Sequence, residues 1–216
     1  MEITIKNNWD EITWKEYEQI EQILATDVPS DFKAIHLISV LTGLTPDEVE
    51  RLPVSQFNKL LPAIGFINKK AKTHYHKFKY TINGREYDFK GKLEEITTAQ
   101  YLDYRTYMNE EEKDVVKLMS VFLIPVGHDY NDGYDMNQVM NDINDMCWLD
   151  IKAASFFFRI QLAMCMLISK RSLRKLMKES KATKSQIKEV EESLNSMAYS
   201  LLYSKSAKPA TQLLTR

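Results

Sequence analysis

Residues 75–89 read YHKFKYTINGREYDF, and this stretch decides how the rest of the chain is to be parsed. Phe78, Tyr80 and Ile82 alternate with lysines and a threonine, a period of two that places them on one face of a strand. Asn83 and Gly84 follow at the bend, and both tolerate the positive φ that a type I' turn demands, so the spacing predicts a β-hairpin. A lone two-stranded ribbon is marginal in water. Phe78, Tyr80, Tyr87 and Phe89 must therefore pack on helices or on another subunit.

On both sides of the hairpin the periodicity is helical. Upstream, Thr13 with Glu16 forms a capping box for a helix of about 13–25, along which Trp14, Tyr17, Ile20 and Leu24 recur. Pro29 and Ser30 open a second helix, with Phe32, Ile35, His36, Ile38 and Leu41 as its apolar face and Gly43 at its left-handed end. Residues 41–61, LTGLTPDEVERLPVSQFNKLL, then hold two short helices. Thr45, Pro46 and Glu48 supply an N-cap, a first-turn proline and the N3 acid, and Pro53 separates the first helix from one of about 55–64.

Downstream, Thr97 or Thr98 caps a helix over 99–107, and acids after Asn109 open another over 111–123 that Pro125 and Gly127 end. The turn-rich loop GHDYNDGYD, 127–135, leads to a helix over 136–147. Asp150 is placed to cap a long helix over 151–178, and Thr183 with Gln186 to cap the last one. There Ile187, Val190, Leu194, Met197 and Leu201 recur at alternating spacings of three and four, the seam of an antiparallel helix pair. The expected fold is mainly α: a multi-helix bundle with one inserted β-hairpin (about 75–89) and a long C-terminal antiparallel helix pair. The chain divides into an N-terminal helical region (1–70), the hairpin (71–92), a C-terminal bundle (93–204) and a tail (205–216) with the composition of a mobile end.

The totals restrict function. With 29 basic against 30 acidic residues the net charge is -1, which removes the general electrostatic reason to expect sequence-specific nucleic acid or an anionic membrane as partner. Cys147 and Cys165 form no CxxC pair, so neither a disulfide framework nor a structural zinc site is expected. The N-terminus lacks a basic region followed by an apolar core, and no signal peptide is read there. The longest apolar run, 153–169, is interrupted by Arg159 and Gln161 and falls short of the ~20 residues of a membrane span.

Candidate chemistry is sparse. His74 and His76, two apart at a strand entry, share a face as zinc or copper ligands do; without a third ligand nearby they read as solvent-facing. His36 reads as a core or boundary histidine. Asp129, Asn131, Asp132 and Asp135 invite calcium, but counting from Asp129 places Gly133 fifth and Met140 twelfth, where an EF-hand wants glycine sixth and an acid twelfth. There is no Gly-x-Ser-x-Gly elbow and no phosphate-binding glycine loop, so no cofactor and no enzymatic site is expected, short of one assembled from dispersed residues. Lys170, Arg171, Arg174, Lys175, Lys178, Lys181 and Lys184 form a basic cluster. Helix-dipole compensation explains it, and an acidic partner or encapsidated DNA is the sharper alternative. Phe156, Phe157 and Phe158 cannot all face one core, because successive helical residues point about 100° apart.

Taken together, 41–61, the hairpin YTINGREYDF, the segment KLEEITTAQYLDYRTYM and the apolar run closing in VFLIPVGHDYNDGYD resemble tailed-bacteriophage proteins. The resemblance, over Thr13–Tyr134, is to tail assembly chaperone-like sequences and virion tail or ring proteins of phages of Bacteroidota, the crAss-like phages included. It implies a role in virion assembly: a tail or head-tail connector ring protein in a homo-oligomeric ring, with the portal or neighbouring tail proteins as partners, or a chaperone absent from the finished particle. The implied location is the virion tail, and the host cytoplasm during assembly. Phe78, Tyr80, Tyr87 and Phe89 of the hairpin, Tyr130 and Tyr134 of the loop, Phe157, and Leu213 and Leu214 of the tail are the expected intersubunit contacts.

Overall fold

The computed structural model describes residues 3–72, 74–92, 94–111 and 114–158, with 188 and 192. The expected C-terminal helix pair, the basic cluster of 170–184, Cys165 and the tail with Leu213 and Leu214 lie outside the described residues. The protein is mainly helical with one small antiparallel sheet.

A 3-10 turn, Trp9–Glu11, precedes α1 (Trp14–Ala25), α2 (Ser30–Thr42), α3 (Pro46–Glu50) and α4 (Val54–Ile64). The capping boxes read from the sequence form. Thr13 and Thr45 each accept from the N3 backbone N–H, while Glu16 and Glu48 reach back to the N-cap N–H. Two donors per helix end are thereby satisfied. Gly43 takes the left-handed conformation (φ 75°) that stops α2 and sends the chain into α3. Ser30 is the first residue of α2, with Pro29 at the N-cap. The face α2 buries also differs from the expected one: Ala34, Leu37, Ile38 and Leu41 point inward, whereas Phe32 and His36 are exposed.

The hairpin forms at the predicted place. Strands β1 (Lys79–Ile82) and β2 (Arg85–Phe89) join through Asn83 and Gly84, both at positive φ. Helix α5 (Thr98–Met108), capped by Thr97, follows. The segment beyond it corrects the expected helix over 111–123. Asp114 caps a short α6 (Val115–Ser120), and Leu123–Pro125 becomes a third strand, β3, beside β2 in the order β1-β2-β3. Val121, Phe122, Leu123 and Ile124 are all buried. A strand covered on both faces carries no alternation, and periodicity alone does not separate it from a helix.

Helix α7 (Met136–Asp145), capped by Asp135, ends before the expected 147 because Met146 and Cys147 turn extended. Met146 accepts from Trp14 N–H at 2.8 Å, and Trp148 donates to the Ile12 carbonyl at 3.1 Å. Helix α8 starts at 148 and runs through 158. Asp150 is thus inside its first turn rather than its cap; the Cys147 carbonyl begins the helix by accepting from Asp150 and Ile151.

Three apolar clusters result. The sheet packs against α6, α7 and α8 through Tyr80, Ile82, Tyr87, Phe89, Val116, Met119, Phe122, Val139, Ile143, Ile151 and Phe158. At roughly 1.5–3 kcal/mol per large apolar side chain, burial of the hairpin's inward residues outweighs the marginality of an isolated ribbon. A second cluster joins α1 and α2 to the start of α8 through Ile12, Ile20, Leu37, Phe66 and Trp148, and a third holds α2, α3 and α4 around Ile38, Val49 and Leu60.

Candidate interaction surfaces

The nominated aromatic residues divide by burial. Tyr80, Tyr87 and Phe89 belong to the protein's own core, so helices supply the packing that the ribbon needs. Of the four nominated hairpin rings, Phe78 alone reaches the surface, 46% exposed, with the Lys92 ammonium 5.1 Å from its centroid. The expected free hairpin face thus reduces to Phe78. The three successive phenylalanines separate as helix geometry requires: Phe158 is buried against Phe122 and Tyr104, Phe157 is half-buried, and Phe156 is 55% exposed. Phe157 stacks on His76 (centroids 4.2 Å apart, planes at 16°) and meets Phe78 edge-on. The outward phenylalanine is its neighbour Phe156.

In the 127–135 loop, Tyr130 and Tyr134 are half-buried against the sheet cluster. The Tyr130 hydroxyl donates to Asp103 of α5 at 2.6 Å, tying the loop down. Burial and then the Asp103 carboxylate push that hydroxyl's pKa well above its usual value. Lys90 adds an ion pair to Asp129 at 2.9 Å, and Asn131 and Gly133 take the positive φ of turns. Among the described residues no group of three His, Cys, Asp or Glu side chains is placed to hold a metal ion, and no helix is long and apolar enough to cross a membrane.

The histidines are not the solvent-facing pair expected, because both are drawn inward from a stretch that precedes β1. His74 bridges two carboxylates, Nδ1 to Asp150 at 2.9 Å and Nε2 to Asp10 at 2.8 Å, and Lys77 binds the other Asp150 oxygen at 3.0 Å. Both ring nitrogens face acceptors only, an arrangement that suits the imidazolium. Burial opposes that charge, but the hydrogen bonds to Asp150 and Asp10 outweigh it and the pKa is raised. His76 behaves oppositely. Its Nε2 is buried with no hydrogen-bond partner among the described residues, and burial lowers its pKa to about 4.

The other polar network surrounds Asp142 on α7. Arg85 binds it side-on, Nε at 2.7 Å and Nη2 at 2.8 Å, while the Tyr87 hydroxyl, Asn83 and Gln138 also donate to it. The Arg85 hydrogen bonds lead in holding the carboxyl well below the usual carboxylate range.

One open groove of about 270 Å3 lies along β1, lined by Lys77 and 79–83 on one side and by Asp145, Met146, Cys147 and Asp150 on the other. That volume falls below the ~300–1,000 Å3 typical of small-molecule sites. Sequence reasoning missed this groove and the Asp10–His74–Asp150 bridge, since both need residues some 65 to 75 positions apart to meet; no local spacing signals them.

No known family model, curated protein or solved structure matches the chain.

Proposed function

We propose that the chain is a structural component of a tailed-bacteriophage particle, a tail or head-tail connector ring protein that acts by protein–protein assembly. The phage part rests on the resemblance of Thr13–Tyr134 stated above. The assembly part rests on one observation: Phe78, 46% exposed, packs edge-on against both rings of the His76–Phe157 stack, so part of an aromatic cluster lies at the surface. Tyr75 and Phe156, the sequence neighbours of His76 and Phe157, are exposed as well. Isolated surface apolar residues need no explanation, but a local group of aromatic side chains is the composition enriched in interface cores. The titratable clusters among the described residues are engaged in holding elements together, which fits a building block better than a dispersed catalytic site.

Mass spectrometry of purified particles of the encoding phage tests the assignment, together with a native mass of the purified chain. The expected result is the chain in the particle at many copies and a homo-oligomer in solution. A chain absent from particles yet bound to tail proteins in infected cells overturns the virion reading in favour of the alternative, a tail assembly chaperone.

A further inference from the structure

Among the described residues strand β1 is an edge of the sheet, and its hydrogen-bonding register shows which of its backbone groups face away from β2. Phe89 N–H donates to the Phe78 carbonyl at 2.8 Å, so in antiparallel alternation Phe78, Tyr80 and Ile82 face β2. The backbone groups of Lys79 and Thr81 therefore point the other way, and among the described residues they have no hydrogen-bond partner. This outer edge borders the groove. The opposite wall is also locally extended: Met146 and Trp148 hydrogen-bond with residues 12–14, and Thr13 and Cys147 form an antiparallel bridge. By the same alternation the Cys147 backbone points away from Thr13. Its carbonyl serves the first turn of α8, and its N–H has no partner among the described residues. The groove is thus bounded by the free edge of β1 on one side and by the extended Met146–Cys147 segment on the other.

Size and charge narrow the occupant. An α-helix uses its backbone donors and acceptors internally and cannot pair with the free groups of Lys79 and Thr81, whereas an extended segment can. A strand occupies roughly 160 Å3 per residue at sheet spacings, so about two residues fit within the slot and others continue past its open ends. The Lys79 side chain is 80% exposed, and its carboxylate contact, Asp88, is 3.8 Å away. The two carboxylates of the far wall are already engaged, Asp145 by the Asn83 amide and Asp150 by His74 and Lys77, so an acidic side chain directly across from Lys79 would be a favourable cross-strand pair. Tyr80 and Ile82 lie on the opposite, core-side face of β1, where the alternate residues of an added strand would be apolar.

We infer that the slot between β1 and Met146–Cys147 is a strand-addition site for an extended segment of a partner polypeptide that alternates acidic and apolar residues. Main-chain hydrogen bonds to Lys79, Thr81 and Cys147 supply the docking, and Lys79 sets the charge preference. The site requires nothing of the phage assignment, so particle mass spectrometry and the experiment below fail independently.

The test titrates the full chain with two capped five-residue peptides, one alternating valine with glutamate and one alternating valine with lysine, and follows backbone amides by NMR. The glutamate peptide is expected to shift the Lys79, Thr81 and Cys147 amides and to bind roughly threefold tighter than the lysine peptide. Thr81→Pro deletes an outward donor at an edge position that tolerates proline, and should abolish the shifts. Lys79→Glu should reverse the charge preference, and this arm decides the matter if the proline variant does not fold. Absence of shifts at millimolar peptide, unchanged binding to a folded Thr81→Pro variant, or an unreversed preference overturns the proposal. So do shifts that follow protein concentration alone, which would mean a second copy covers the edge.

Discussion

Arg85 on β2 grips Asp142 on α7 through two parallel hydrogen bonds of 2.7 and 2.8 Å, although the carboxylate is only 1% exposed. Four side chains donate to this carboxylate, so the hairpin is locked onto α7 by a polar clamp as well as by its apolar face. Asp142→Ala leaves the Tyr87 hydroxyl without its acceptor, while the Asn83 amide keeps only its bond to Asp145 at 2.8 Å. The expected loss is about 2–3 kcal/mol in chemical denaturation, below the roughly 3–5 kcal/mol of a fully buried pair because Arg85 itself is half exposed. The depressed carboxyl pKa gives stability that is present above the unfolded value of about 3.9 and is lost as pH falls toward the folded one. Acid titration of the variant should lack that decline.

The two histidines should move stability in opposite directions with pH. The raised pKa of His74 contributes stability that is complete below about pH 6.5 and is lost as pH rises through the folded value. His74→Gln should therefore flatten the fall in urea midpoint between pH 6 and 8. His76 stays neutral in the folded state down to about 4, while the unfolded chain takes up its proton near 6.5, so it costs stability over that interval. His76→Phe should remove this acid-side loss. NMR of the ring protons checks both: His74 titrating below 6.5, or His76 above it, would contradict the geometry.

Much of the fold is legible where the signal is local. Thr13–Glu16, Thr45–Glu48, Gly43 and Asn83–Gly84 each carry their instruction within four residues, and all take the expected conformation. Leu123–Pro125 was illegible as a strand because its partner, Tyr87 to Phe89, is over 30 residues away and its burial on both faces erases the alternation. His76 and Phe157 show the same limit at the surface. Which of three consecutive phenylalanines faces outward depends on the rotation of α8, and contacts with the sheet and the 74–78 segment set that rotation. The groove beside β1 was beyond local reading for the same reason: its far wall is Met146 and Cys147, held extended by their pairing with residues 12–14.

The capping residue Gln100 performs two tasks, and one isosteric change separates them. Its Oε1 accepts from the Thr97 N–H at 2.9 Å, closing the capping box of α5, while its Nε2 donates to the Val121 carbonyl at 2.9 Å from a fully buried position. Gln100→Glu retains the box but sets a carboxylate oxygen against a carbonyl oxygen. A loss of about 2 kcal/mol is expected. The converse change at an exposed box, Glu48→Gln, should leave the melting midpoint nearly unchanged, because water can reach both groups. Thermal melts of the two variants side by side check the contrast, and equal effects would show that the Val121 bond does not matter.

Phe156 and Phe157 separate folding from assembly within two adjacent positions. Phe157 lies between His76, Phe78 and Phe89, so Phe157→Ala removes contacts that fix the 74–78 segment against α8. Its half-buried ring places the expected cost near 2 kcal/mol, below the 3–5 typical of a fully buried phenylalanine. Phe156→Ser removes an exposed ring and should alter the monomer's stability by no more than about 0.5 kcal/mol. If the rings around the His76–Phe157 stack mediate assembly, the serine variant should nonetheless shift the native mass distribution toward monomer. A serine variant with unchanged melting and an unchanged mass distribution would remove this patch from the assembly surface, and contacts elsewhere would have to hold the oligomer together.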